Sequence, residues 1–435
     1  MIRISLLLTL LVVFSTNANK WDHLFDRAQY QNVKVSPDGK HLAIAVMNQG
    51  KRSLAFMKTD TMKLVGASIL AGQDEVGSYY WINNERVVID VNRRKAGNDQ
   101  LVSYGELFAV DYDGKNGKVI YGLRAGSNSR SFGRLKKAEA SFAWGSIIDT
   151  LPEDDKHILI KSTPYSEGGE KLSEVYKLNV YTGKTSRKIS TAPIPYVDFI
   201  TDTEGELTLA TGIDKDNQVQ VYLKQKSGWK QLASEKFGTH FTALTIDKTG
   251  NYLYTLDNYQ QDKLGLFKFN LNDASYEHIF TDEDRDITDI EKTVDKRSIY
   301  ALRVDNGKPV YYLINQSLEE AKVFRDLTAT FPNKKVNIRS HSEDGSIYLV
   351  QVSSDVEPGV FYLYDRKNNN IKALFKFHPN LDNSKLAQLQ PIQFKASDGL
   401  SIHGYFTQGK TEKSEKPAPL VVLVHGGPHA RDYWG

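Results

Sequence analysis

The sequence predicts a mainly β chain, a seven-bladed β-propeller followed by the first strands of a second, α/β domain. Three observations carry that prediction. One Asp-Gly-type turn between short strands recurs along most of the 435 residues. The composition leans to aromatics, with 23 Tyr and 19 Phe against 4 Met and 13 Pro, and aromatics suit a pleated, half-buried surface. Near the end, a run of branched aliphatics without alternation breaks the pattern, as a strand buried on both faces of a parallel sheet does.

The chain opens on a different kind of segment. Met1-Ile2-Arg3 carries one positive charge, residues 4–14 are apolar except for Ser5 and Thr9, and Thr16-Asn17-Ala18 follows with small residues at both ends. That order is the order of an export signal, residues 1–18, cut after Ala18. The apolar run is far short of the ~20 residues that span a bilayer core. The mature protein is therefore expected outside the cytoplasm, periplasmic or secreted, with no stable membrane span once the signal is removed.

Composition excludes several chemistries. There is no cysteine, so disulfides, thiolate metal sites and a cysteine nucleophile are out. A net charge of +3 gives no electrostatic reason to expect nucleic acid as a partner. No cofactor and no metal are expected. His425 and His429 have the i, i+4 spacing of a helical metal pair, but Gly426-Gly427-Pro428 between them does not hold a helix. The acidic stretch Asp282-Glu283-Asp284-Arg285-Asp286 lacks the glycine and closing glutamate of a Ca²⁺ loop and reads as a solvated turn.

The repeat is read from Val35-Ser36-Pro37-Asp38-Gly39-Lys40-His41-Leu42-Ala43-Ile44. Pro presets φ, Asp caps the turn and Gly supplies φ > 0; the residues after it alternate as a half-buried strand. Comparable units fall at 81–89, 152–160, 203–209, 247–253, 294–300 and 342–348. The period is about 45–50 residues, with one longer gap between the second and third units, which is four short strands per blade and seven blades between roughly residues 30 and 375. No helix of useful length is expected in this stretch. An insertion near 124–137, rich in Ser, Gly, Arg and Lys, reads as a loop. The propeller domain is placed at 19–380 and the second domain at 381–435.

In the last fifty residues, Asp398-Gly399 forms a hairpin turn and a hydrophilic connector occupies 407–416. Residues 420–424 (Leu-Val-Val-Leu-Val) then read as a buried strand that ends in His425-Gly426-Gly427. A His-Gly-Gly loop at the carboxyl end of such a strand has the position and chemistry of an oxyanion hole. Glycines let backbone N–H groups approach the negative charge of a tetrahedral intermediate.

The propeller, the Asp-Gly hairpin and the Leu-Val-Val-Leu-Val-His-Gly-Gly-Pro strand and loop together resemble the prolyl oligopeptidase family of serine peptidases. The His-Gly-Gly-Pro-His form is most similar to the acylaminoacyl-peptidase and dipeptidyl-peptidase-like branch. The resemblance implies an α/β-hydrolase domain capped by the propeller, a Ser-Asp-His triad, short peptide substrates and size screening by the propeller. It places an oxyanion donor on the Gly427 N–H, with His425 and Gly426 shaping the loop. The family's Gly-x-Ser-x-Gly nucleophile elbow does not occur in the 435 residues. The expectation is thus the first part of a longer peptidase, with the triad beyond Gly435, and inactive by itself. The competing reading is a non-catalytic propeller that binds a protein or peptide.

Overall fold

The computed structural model describes residues 22–435 apart from 96, 98–99, 127–138, 169, 410–418 and 428–429. The expected export signal, most of the insertion at 124–137, most of the connector at 407–416, and His429 lie outside the described residues.

Seven antiparallel sheets follow one another along the chain, each a simple meander of consecutive strands. Their first strands are Tyr30–Val35, Asp74–Trp81, Ala143–Asp149, Asp198–Thr201, Thr242–Ile246, Ile287–Lys292 and Lys335–His341. These are the inner strands of a seven-bladed propeller. Every one of the seven turns anticipated from the sequence joins the first and second strand of a blade, so the repeat marks one structural position seven times. Five of the turns share one register. The fourth residue donates its N–H to the carbonyl of the first, as Gly39 does to Ser36 at 2.9 Å and Gly345 to Ser342 at 3.0 Å. Gly39, Gly205, Gly250 and Gly345 hold φ between +60° and +77° there, a conformation that suits glycine.

The core is not central. It is divided among seven apolar layers, one between each pair of neighbouring blades. Between blades one and two lie Leu54, Phe56, Val76, Tyr79 and Ile89; between six and seven lie Tyr300, Phe324, Val336, Tyr348 and Val350. Each interior sheet is thus buried on both faces. Polar pins join the same layers. The guanidinium of Arg86, 1% exposed, donates to Asp111 at 2.6 Å and to the Val180 carbonyl of the next blade at 3.1 Å.

Blade six departs from the repeat. Its sheet has three strands, and a helix, Glu319–Thr330, takes the place of the fourth. This corrects the expectation of no helix. Ala321, Phe324 and Leu327 recur at three-residue spacing and, with Val323, put one buried stripe between blades six and seven.

The ring closes without strand exchange, because blades one and seven each use only their own consecutive strands. Side chains do most of the joining. Val33, Val35, Leu42 and Ile44 pack on Leu349, Phe361 and Leu363. Tyr30 stacks on Phe375 with centroids 4.6 Å apart, and the Gln29 N–H donates to the Phe377 carbonyl at 2.7 Å. Phe361 is fully buried in this seam. Phe361→Ala is expected to cost about 3–5 kcal/mol, read as a lowered urea or thermal midpoint. Phe142→Ala, at a side chain 72% exposed, should stay within about 0.5 kcal/mol.

Candidate active-site loop and the two propeller faces

After blade seven, Leu389–Lys395 and Ser401–Thr407 form the expected hairpin. Gly399, at φ +88°, donates its N–H to the Ala396 carbonyl at 3.0 Å. The hairpin rests on the loops joining second and third strands in blades six and seven. Tyr405 donates its hydroxyl to the Gly307 carbonyl at 2.9 Å, and the Leu389 N–H donates to Asp355 at 2.7 Å. Gly307 sits at φ +75° and a Cβ there would meet Pro391 at 2.8 Å, so the contact needs glycine on both counts.

Residues 420–424 correct the expectation of a buried strand. They carry no strand pairing and are 75–87% exposed. The physical reason is the lack of neighbours: an all-aliphatic strand is held by sheets on both sides, and no described segment supplies one. His425, Gly426 and Gly427 follow in an exposed bend. Gly427 has φ +139°, a value L side chains rarely adopt, and His425 Nδ1 lies 2.8 Å from the Gly426 carbonyl oxygen that accepts from it. Beyond the loop the chain returns to the propeller. Arg431 donates to the Asp305 carbonyl at 2.9 Å, and Trp434, 3% exposed, lies under the Lys308 ammonium. Sequence reasoning missed these two anchors, which hold the loop's far end against blade six.

The same face carries a buried ionic network on blade two. Asp74 accepts from Arg93 at 2.8 Å and pairs with Arg124 at 2.7 Å. Glu106 pairs with Arg124, and the fully buried Glu75 pairs with Arg94 and, at 3.3 Å, with Arg27. Burial works against the charged forms of Asp74 and Glu75, yet the arginines hold both carboxyls below their usual range. Removing one partner would strand a buried charge.

The opposite face is where the seven turns converge, and they are laced together. Asp38 N–H donates to Asn84 at 2.9 Å, Asn83 to the Asp155 carbonyl at 2.7 Å, and Glu343 N–H to the Pro37 carbonyl at 2.8 Å. Lys248 pairs with Asp295 at 2.7 Å. Arg297 of blade six reaches past blade five to the Thr201 and Asp202 carbonyls of blade four, at 3.2 and 2.5 Å. Inside the ring, lysines satisfy carbonyls of neighbouring inner strands: Lys34 that of Tyr79 at 2.6 Å, Lys292 that of Leu244 at 2.8 Å. Burial and nearby cations push both ammonium groups down to about 8. Burial, with Asp289 beside it, pushes Glu291 up to about 8.

No family model matches the chain. It is 24% identical over 426 residues, 95% of its length, to dipeptidyl aminopeptidase BIII of Pseudoxanthomonas mexicana. The chain resembles the prolyl oligopeptidase family of peptidases. Dipeptidyl peptidase family member 6 of Caenorhabditis elegans is 28% identical over 213 residues, 44% of the chain. The chain spans 57% of the length of the first of these relatives and 28% of the second. The fold is shared with solved structures. Prolyl oligopeptidase B from Galerina marginata superposes with a TM-score of 0.59 at 14% identity, covering 91% of this chain and 57% of that one. A puromycin-hydrolyzing peptidase from Mycobacterium tuberculosis gives 0.57 at 11%, covering 90% and 61%.

The ring interior makes stability depend on pH in two limbs. Between about pH 5 and 8, folded Glu291 keeps a proton that the unfolded chain has released, so stability falls as pH rises. Above pH 8, unfolded Lys34 and Lys292 still hold protons that the folded ring has given up, so stability rises. Urea midpoints across pH 5–9.5 should show this minimum near 8. Glu291→Gln is expected to flatten the lower limb and Lys34→Met with Lys292→Met the upper one.

Proposed function

We propose that the chain is the amino-terminal part of an exported serine peptidase that hydrolyses short peptides through a Ser-Asp-His acyl-enzyme mechanism. The single observation that carries this reading is the aliphatic segment 420–424 running into His425-Gly426-Gly427 directly after a seven-bladed ring. A binding propeller has no use for a five-residue aliphatic run exposed to water; a parallel α/β sheet does. The 24% identity to a dipeptidyl aminopeptidase over 426 residues supports it.

In this reading a serine beyond Gly435 attacks the scissile carbonyl while a histidine takes its proton. The Gly427 N–H donates to the resulting oxyanion, and the second donor follows the nucleophile. His425 and Gly426 shape the loop, and the Arg431 and Trp434 anchors fix it relative to the propeller. The ring covers the catalytic side and admits peptides by size. Residues 1–18 direct export. The 435-residue chain carries no triad in this reading and is inactive.

A fluorophosphonate probe should leave the 435-residue chain unlabelled; labelling would refute its inactivity. Reading the coding sequence past Gly435 should reveal Gly-x-Ser-x-Gly. The extended protein should label at that serine and cleave short peptides. In it, Gly427→Val keeps the N–H but cannot readily hold φ +139°, so it should turn that donor away and lower kcat by about 10²–10³-fold with KM little changed, the size of losing one oxyanion donor. An extended protein with the motif that neither labels nor cleaves would end the peptidase reading.

A further inference from the structure

The sequence holds two Asn-Gly dipeptides, Asn116-Gly117 and Asn306-Gly307. This pair of residues carries a reaction of its own. A glycine leaves its backbone nitrogen unshielded and its φ and ψ free, so that nitrogen can reach the side-chain carbonyl carbon of the asparagine before it. The two sites differ in what holds them.

Asn116 is pinned. Its amide donates to Asp111 at 2.6 Å, and its carbonyl accepts from the buried Arg86 at 3.1 Å. Gly117 is crowded as well, since a Cβ there would meet the Phe108 ring at 2.9 Å. Asn306 is exposed. Among the described residues neither its side-chain amide nor the Gly307 N–H has a hydrogen-bond partner. Asn306 ends the second strand of blade six and pairs with Lys308 across the turn, and Gly307 stands alone between the two strands at φ +75°. The nucleophilic nitrogen and its target are thus both free on a sharp, exposed turn.

The neighbours of Asn306 give that reaction a consequence, because they hold the C-terminal segment. The Asp305 carbonyl accepts from Arg431 at 2.9 Å, and the Gly307 carbonyl accepts from the Tyr405 hydroxyl at 2.9 Å. The Lys308 ammonium lies 5.7 Å from the centre of the Trp434 ring. Gly307 also packs against Pro391, with no room for a Cβ between them. The contacts converge on consecutive residues of one turn, and Asn306 is in their midst.

We propose that Asn306-Gly307 is a site of spontaneous deamidation, and that the isoaspartate it forms releases the hairpin 389–407 and the anchors Arg431 and Trp434 from blade six. Hydroxide takes the proton of the Gly307 N–H, and the nitrogen attacks Asn306 Cγ. A C–N bond forms, and Nδ2 leaves as ammonia with a proton from water. The product is a cyclic succinimide. Water then adds to one of its two carbonyls. Breaking the bond from Cγ to the Gly307 nitrogen leaves aspartate; breaking the bond from the main-chain carbonyl carbon leaves isoaspartate. In sum one water is consumed and one ammonia released, with nothing oxidised or reduced. Isoaspartate runs the main chain through Cβ and Cγ and so lengthens it by one carbon between Asp305 and Gly307. The two carbonyls then lose the spacing that Arg431 and Tyr405 require. This site stands apart from the peptidase reading, since it needs only the propeller and the segment docked on it.

The test ages the 435-residue chain in mildly alkaline buffer. Peptide mapping by mass spectrometry should find the mass of aspartate accumulating at Asn306, with isoaspartate, labelled by an isoaspartyl methyltransferase, as part of it. Asn116 should convert about tenfold or more slowly, the rate cost of giving up a hydrogen bond to a charged carboxylate. Amide hydrogen exchange across 389–407 and 431–435 should rise in step with isoaspartate, while the seam of blades one and seven keeps its protection. Asn306→Gln, which would have to close a larger ring, should hold both its mass and its protection through the same ageing. Freshly prepared Asn306→Asp should keep the hairpin protected, because it adds the charge without the extra carbon. The proposal is overturned by no conversion at Asn306, by conversion of Asn116 at an equal rate, or by isoaspartate that leaves hairpin exchange unchanged. Loosening of Asn306→Gln at the rate of the unaltered chain, or a fresh Asn306→Asp chain already loosened, would overturn it too.

Discussion

The structure depends on one constraint: every blade must bury both faces of its sheet, and only its two neighbours can cover them. A single four-stranded meander cannot satisfy this alone, since a lone sheet leaves at least one apolar face in water. The seven layers between blades are the solution, and they make the ring a closed chain of mutual dependence. The seam between blades one and seven is a layer like the other six. It is made chiefly by Val33, Leu42, Ile44, Leu349 and Phe361, with single main-chain hydrogen bonds such as Gln29 to Phe377 but no shared strand, so closure rests mainly on side-chain fit.

Closing a ring of sheets turns seven inner strand edges toward one another. An unpaired edge is a hazard in any β protein, and lysines are a common way to blunt it. Here Lys34 and Lys292 do so by donating to carbonyls of the adjacent inner strands. The same device concentrates positive charge where water is scarce, which is why these ammonium groups release protons easily. The two ends of the ring differ in kind. One is a tight lacework of turns with a crossing arginine. The other carries the Asp74, Glu75 and Glu106 network and supports the C-terminal hairpin and the Gly427 loop.

Much of this fold is legible in the amino-acid sequence. The turn chemistry at Pro37-Asp38-Gly39 and its six counterparts sets blade number and boundaries, because a turn's demand for φ > 0 and a capping side chain is local. The Asp398-Gly399 hairpin is legible for the same reason. The helix Glu319–Thr330 is not, since its stripe of Ala321, Phe324 and Leu327 competes with the expectation of a fourth strand in each blade. Residues 420–424 show the opposite limit: their pattern states what environment they require, and composition cannot state whether it is present. The cations inside the ring are illegible altogether. Lys34 and Lys292 are 258 residues apart, and nothing in either segment marks its lysine as a donor to the neighbouring blade's inner strand.

The seam also sets an order of events during synthesis. Its two sides are far apart in the chain: the Val35 N–H donates to Ser340 Oγ across 305 positions. A ribosome adding 5–20 residues per second needs roughly 15–60 s to make that stretch. Through that interval the outward face of the first blade, with Val33, Leu42 and Ile44, has no native partner. Blades two to six can stack as they emerge, each on its predecessor, but the first must wait for the last. The growing chain is therefore an open arc with a sticky leading face until the seventh blade arrives.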